Sequence, residues 1–201
     1  MKILNILSSI NGANSNSNKL VHKINDHIAN LHPDSTITVR DLAKNPFPHF
    51  SASHLAAFGL PEEALTDDDK TTVSHSDNAI SEIMEADAIV IGIPFYNFTI
   101  PGTLKSWIDQ IVRVNRTFRY GEKGPQGLLS DKKVYLAIAS GGIYTNEATK
   151  AYDFAEPYMR VILGFIGLTD VTTFRIEGTK IPGVLENAYE KASADVAGFG
   201  F

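Results

Sequence analysis

The chain has 201 residues, 43% hydrophobic and 20% charged, the balance of an ordinary folded domain rather than a disordered, collagenous or coiled-coil chain. Acidic residues number 23 against 18 basic ones, and a net charge of −5 argues against a cationic surface that tracks nucleic-acid phosphates. Cysteine is absent, which removes disulfides, thiolate metal sites, iron–sulfur ligation and a cysteine nucleophile, and fits a reducing cytoplasm.

In chain order, Lys2 to Ser8 is rich in Ile and Leu and reads as a buried strand; it is too short and interrupted for a signal peptide. An uncharged run of Asn, Ser and Gly, Ser9 to Ser17, precedes a helix from Asn18 to about Leu31, marked by Leu20, Val21, Ile24, Ile28 and Leu31 at helical spacing. Ser35 to Arg40 alternates as a second strand, and Lys44 to about Leu65 shows few regular signals. Thr66 before Asp67, Asp68 and Asp69 predicts a capped helix start, the helix running to about Glu85. Ala86 to Ile93 is the third strand, followed by Pro94-Phe95-Tyr96-Asn97-Phe98 and a helix from about Gly102 to Val112. Thr117 to Leu129 reads as a Gly-rich connection, Lys133 to Ala139 as the fourth strand and Ser140-Gly141-Gly142 as a tight loop. A helix from about Glu156 to Phe165, a fifth strand from Asp170 to Arg175 and a helix from Val184 to about Ala197 complete the chain. No apolar run approaches the roughly 18 residues of a membrane span, so a cytoplasmic protein without membrane contact is expected.

Five strands alternating with five helices over residues 1–201, with no linker between two cores, predict one α/β domain. The expected architecture is a doubly wound five-stranded parallel sheet, order 2-1-3-4-5, with helices on both faces. Such sheets bind ligands outside the carboxyl ends of their strands, at the point where strand order reverses. That rule singles out the loops after the first, third and fourth strands.

The first of these loops enters a helix N-terminus, where unpaired N–H groups and the dipole favour an anion. Ser9, Ser15 and Ser17 add hydroxyls, which suit a monophosphate or equally a plain helix cap. Neither Gly-x-x-x-x-Gly-Lys nor Gly-x-Gly-x-x-Gly occurs, so neither triphosphate hydrolysis nor a dinucleotide cradle is indicated. In the loop after the third strand, Phe95, Tyr96 and Phe98 surround Asn97; a planar ring could stack there while the amide reads its polar edge. The alternative is that the aromatics fill the core. In the loop after the fourth strand, Gly141 and Gly142 let backbone N–H groups approach a ligand, or form a tight turn.

Together the Ser15-Asn16-Ser17 loop, Pro94-Phe95-Tyr96-Asn97-Phe98, Thr117-Phe118-Arg119-Tyr120, Gly141-Gly142-Ile143, Leu163-Gly164-Phe165-Ile166-Gly167 and Thr169-Asp170-Val171 resemble the FMN-dependent NADH:azoreductases over almost the whole chain. The resemblance implies a flavodoxin-like fold, a homodimer, non-covalent FMN, and hydride transfer from NADH through the flavin N5 to quinones and azo compounds by a ping-pong mechanism, with NADPH as the alternative donor. Carried over by position, it implies that Ser9, Ser15, Asn16 and Ser17 hold the FMN phosphate. Phe95, Tyr96, Asn97 and Phe98 would line the flavin, and Ala139, Ser140, Gly141 and Gly142 its pyrimidine end. Phe118, Tyr120 and Tyr144 would meet the acceptor, and no side chain would act as nucleophile. Phe95, Asn16, Ala139-Ser140 and Tyr144 depart from the Met, Gln, Ser-Arg and His common in that family. A flavodoxin-type electron carrier is the competing expectation, and a phosphate-binding regulatory module a third.

The six histidines show no metal-ligand spacing, so no metal is expected. The segment Tyr158 to Ile166 is apolar nearly all round, and the helix bearing Leu104, Trp107, Ile108 and Ile111 is similarly apolar. Two such faces exceed what one core needs and predict a two-fold dimer, its partner's site roofed by the Asn45 to Phe50 loop.

Overall fold

The computed structural model describes residues 1–201. Five parallel strands form the central sheet: β1 (Lys2–Leu7), β2 (Thr36–Asp41), β3 (Ala88–Pro94), β6 (Lys133–Ala139) and β7 (Asp170–Ile176), in the order β2-β1-β3-β6-β7. Six helices accompany them: α1 (Asn16–Leu31), α2 (Ala52–Phe58), α3 (Asp67–Glu85), α4 (Gly102–Ile111), α5 (Ala155–Phe165) and α6 (Leu185–Ala197). The remaining two strands, β4 (Phe118–Gly121) and β5 (Gly124–Gly127), pair antiparallel in a separate hairpin.

Alternation along the strands divides the core. Leu4, Ile6, Ile89, Ile91, Val134 and Leu136 join residues of α3, α4 and α5 in one apolar cluster, while Ile3, Ala88, Val90, Tyr135 and Ala137 join α1 and α6 in another. Every residue of β3 is buried, so this strand stands at the centre and its carboxyl end opens between those of β1 and β6. Burying its seven residues is what makes the run Ala-Ile-Val-Ile-Gly-Ile-Pro continuous rather than alternating. Gly92 lets α1 close on the sheet, since a Cβ there would meet Val21 Cγ2 at 3.0 Å.

Helix starts follow local chemistry. The Thr66 hydroxyl accepts the Asp69 N–H while the Asp69 carboxylate accepts from the Thr66 N–H, a reciprocal cap that begins α3. Asp153 Oδ1 accepts the Ala155 and Glu156 N–H groups at the start of α5, and Pro157 has no N–H to satisfy. Helix α1 begins two residues before its predicted start because Ser15 caps it, accepting the Asn18 N–H at 3.2 Å.

Two parts differ from the sequence expectation. The segment read as irregular contains α2, and the connection read as Gly-rich coil contains the β4–β5 hairpin. The hairpin is rooted by backbone contact: a Cβ at Gly127 would lie 2.2 Å from Gly167 N, and one at Gly167, whose φ is +102°, would lie 2.3 Å from the Leu129 carbonyl oxygen. No helix is long and apolar enough to cross a membrane.

Candidate functional site

The loops after β1, β3 and β6 meet at one end of the sheet. Ser9 Oγ lies 3.4 Å from Tyr96 Oη, linking the first loop to the second. The Phe95 N–H donates to the Ala139 carbonyl at 2.8 Å, linking the second to the third. The rings of Phe95 and Tyr144 stand 4.4 Å apart between centroids, closing the same junction with side chains.

The first loop is built to keep donors available. Ser15 Oγ and Ser17 Oγ are buried and 3.0 Å apart, so one hydroxyl proton is spent between them and the other remains to donate. The N–H groups of Asn16 and Ser17 open the first turn of α1 and have no intrahelical acceptor. The Asn16 side chain is turned aside, its Oδ1 accepting from the Tyr189 hydroxyl of α6. Ser9 is buried and accepts the Asn11 N–H at 3.3 Å. Two residues outside the sequence reading support this loop: Ser8 donates to the Gly92 carbonyl at 2.7 Å, and Asn18 Nδ2 donates to the Gly12 carbonyl at 3.4 Å.

The second loop is a two-residue turn. Tyr96 and Thr99 exchange N–H···O bonds of 3.1 Å, and the residues between them are left-handed, Asn97 at φ +49° and Phe98 at φ +70°. Both being positive makes this a type I′ turn, which Asn accommodates and Phe resists. Asn97 is exposed, and its amide bonds to nothing in the chain, so it does not sit buried within the fold. Phe98 is 48% exposed and lies near Tyr144 and Tyr152, with centroids at 6.2 and 6.0 Å.

In the third loop the side chain of Ser140 faces inward, its hydroxyl donating to the Gly142 carbonyl at 2.8 Å. Ala139 is nearly buried, so it contributes backbone only. The N–H groups of Gly141 and Gly142 have no acceptor in the chain, whereas the carbonyls of Ser140, Gly141 and Gly142 accept from Thr179, Lys180 and Gly178. The loop therefore presents two donors and no free carbonyl. Space is tight on its other side: a Cβ at Gly141 would meet Lys180 Cγ at 3.0 Å and one at Gly142 the Tyr144 ring at 3.3 Å.

Phe118 and Tyr120 are not brought to these loops. Phe118 is buried against Phe165, centroids 4.6 Å apart, and Tyr120 is 72% exposed on the hairpin. The Asn45 to Phe50 loop lies on its own chain: Phe47 is buried in the core, His49 Nδ1 pairs with Ser106 Oγ at 3.2 Å, and the Pro48 carbonyl accepts from Gln110. A cavity of about 920 Å³ lies elsewhere, between Phe58, Leu60, Val73, Arg113 and Arg116, and no residue of the three loops lines it.

The arrangement offers an anion seat of N–H and O–H donors, a wall of aromatic rings, and a second pair of N–H donors across from the first. This suits a phosphate joined to a planar ring whose far edge carries negative charge.

Comparison with known proteins bears on that chemistry. Residues 1–198 match the family model described as flavodoxin-like fold. The FMN-dependent NADH:quinone oxidoreductase of Mesorhizobium japonicum is 43% identical over 197 residues, 98% of this chain and 94% of that protein. Its namesake in Beijerinckia indica is 41% identical over 196 residues, 98% of this chain and 97% of that one. Among solved structures, the azoreductase from Bacillus anthracis strain Sterne superposes with a TM-score of 0.86 at 28% identity, covering 99% of this chain and all of that one. An FMN-dependent NADH-azoreductase from Bacillus anthracis strain Ames Ancestor, solved in complex with FMN, gives a TM-score of 0.84 at 25% identity, with 98% and 97% covered.

Proposed function

The chain belongs to the flavodoxin-like family, and on that premise we propose that it is an FMN-dependent oxidoreductase that carries reducing equivalents from NADH to quinones and azo compounds, cleaving the azo bond reductively. The observation that carries this reading is the meeting of two sets of unpaired N–H donors, Asn16 with Ser17 and Gly141 with Gly142, around the Phe95–Tyr144 ring pair. A serine-lined helix start matches one phosphate, and the absence of a dinucleotide fingerprint fits FMN rather than FAD. We read the sheet as doubly wound, with helices on both faces and the order 2-1-3-4-5 when only its own strands are counted, and residues 1–201 as one FMN-binding domain.

Bound FMN would supply the hydride chemistry that no side chain here possesses. Ser9, Ser15, Asn16 and Ser17 would hold its phosphate. The N–H groups of Gly141 and Gly142 donate toward negative charge, and being fixed by the backbone they need no reorganisation to do so. Phe95, Tyr96 and Asn97 line the ring site; Phe98 and Tyr152, half exposed, border a side open to flat molecules. One such open side serves donor and acceptor in turn, which is a ping-pong cycle. The acceptor's proton comes from solvent or from the Tyr144 phenol, since Tyr120 stands away from the three loops.

We further propose a cytoplasmic homodimer. The side chains of α4 give it no support, because Leu104, Trp107, Ile108 and Ile111 are all consumed by the chain's own core. Helix α5 does: Val161 is 72% and Phe154 57% exposed, with Tyr158, Ile162 and Phe165 half-buried beside them.

Purified protein is expected to be yellow and to release FMN on heating. NADH should bleach it in a stopped-flow experiment, and a quinone should restore the colour. A colourless protein that takes up no FMN on titration would overturn the reading.

A further inference from the structure

A carboxylate outside the three loops holds the third of them. Glu177 directly follows β7, and both of its oxygens serve the loop after β6. Oε1 accepts the Tyr144 N–H at 2.8 Å and Oε2 accepts the Thr145 hydroxyl at 2.6 Å. The Glu177 side chain is only 12% exposed, and Arg175 Nη1 lies 3.4 Å from its Oε1. Arg175 is itself gripped by Asp153 and, at 2.5 Å, by Glu156. Because Asp153 also caps α5, the guanidinium joins the end of β7 to the start of that helix.

The backbone that follows completes the support. Gly178, Thr179 and Lys180 donate in turn to the carbonyls of Gly142, Ser140 and Gly141. These bonds occupy the loop's acceptors and leave its two glycine donors free. Tyr144 is the next residue pinned, and its ring packs 4.4 Å from that of Phe95. A carboxylate bonded to a backbone N–H is a charge-assisted contact, stronger than the neutral bonds beside it.

Resting on the FMN reading, we propose that Glu177 is a positioning residue: its carboxylate, oriented by Arg175, pins the Tyr144 amide and so fixes the Gly141 and Gly142 donors relative to the Phe95–Tyr144 ring pair. The Tyr144 ring, packed on Phe95, thereby keeps its place through its backbone.

The test compares Glu177→Ala with Glu177→Gln. Two quantities are read: hydrogen exchange of the Tyr144 amide in flavin-free protein, and the FMN Kd by quenching of flavin fluorescence. Glu177→Ala should speed exchange and weaken FMN binding about tenfold each, the loss of one charge-assisted bond. Glu177→Gln keeps an oxygen for the Tyr144 N–H, so it should stay within about threefold of the parent in both. Unchanged exchange and affinity in Glu177→Ala would overturn the proposal. So would Glu177→Gln failing as badly as Glu177→Ala, which would make the charge, not the hold on Tyr144, the operative feature. Should Glu177→Ala lose its cooperative thermal transition, Thr145→Val removes one of the two contacts and leaves Arg175 paired. It should then show faster Tyr144 exchange, and unchanged exchange would overturn the proposal. The exchange measurement needs no flavin, so a parent protein that binds no FMN would sink the functional reading while this arm still decides the role of Glu177.

Discussion

At the scale of single residues, the Asn97–Phe98 turn concentrates strain at the site. A non-glycine residue held in the left-handed region costs of order 1–3 kcal/mol, less for Asn than for an aromatic. The chain keeps an aromatic at φ +70° where glycine would be at ease, which places a ring at the mouth of the site. Asn97→Gly separates the two uses of its position, since glycine adopts φ +49° without steric cost. Folding stability should stay within about 0.5 kcal/mol of the parent by urea denaturation, because the Asn97 amide bonds to nothing in the chain. FMN affinity should fall about tenfold if that amide meets the ring. An unchanged Kd would confine Asn97 to making the turn. The segment's aromatic density was readable from the sequence. Its left-handed pair was not, because Phe is a residue the turn disfavours.

At the scale of elements, α5 and β7 are joined by ions rather than by apolar packing alone. Glu156 meets Arg175, Arg160 and Thr173. Burial pushes its carboxyl up, but hydrogen bonds from Arg175, Thr173 and Arg160 outweigh this and hold it below the ordinary glutamate range. A carboxyl depressed in the folded state stabilises the fold above its unfolded value and loses that contribution as pH falls through the folded one. Acid should therefore erode stability below roughly pH 4.3. Glu156→Gln should cost about 1–2 kcal/mol at neutral pH and flatten that acid slope, as urea midpoints measured across the range would show. This network was not legible in the sequence because Glu156–Thr173, Glu156–Arg175 and Glu177–Tyr144 join residues 17, 19 and 33 apart, and the segment after β7 lies beyond the three strand ends that flank the reversal of strand order. Strands β1, β3 and β6 were legible because each carries a run of buried residues, whereas β2, exposed along most of its length, showed only its alternation. Helix α2 was not, since it buries only His54 and Ala57 and shows no stripe. Nor was the hairpin, whose eight strand residues include three glycines and a proline.

At the scale of the whole molecule, the two apolar helices met different fates. One was absorbed by the protomer, and the other retains an exposed ridge at Val161 and Phe154. An isologous pairing across α5 would cover that ridge in both copies at once. Val161→Lys should then convert the dimer to a monomer in sedimentation equilibrium at low micromolar concentration, with the thermal transition of the monomer intact. A parent protein that sediments as one chain, fully active with NADH, would remove the dimer.

The rooting of the hairpin also bears on how this chain can diverge. Gly127 and Gly167 touch through bare backbone, so each is already the smallest residue possible and neither can be enlarged while the other yields space. Single substitutions at this junction lead nowhere. At the other end, Gly121, Glu122 and Lys123 form an exposed tip that can lengthen, shorten or change charge without disturbing the anchor. Descendants of this sequence are thus free to alter how far the hairpin reaches and what it touches, while the place from which it reaches stays fixed.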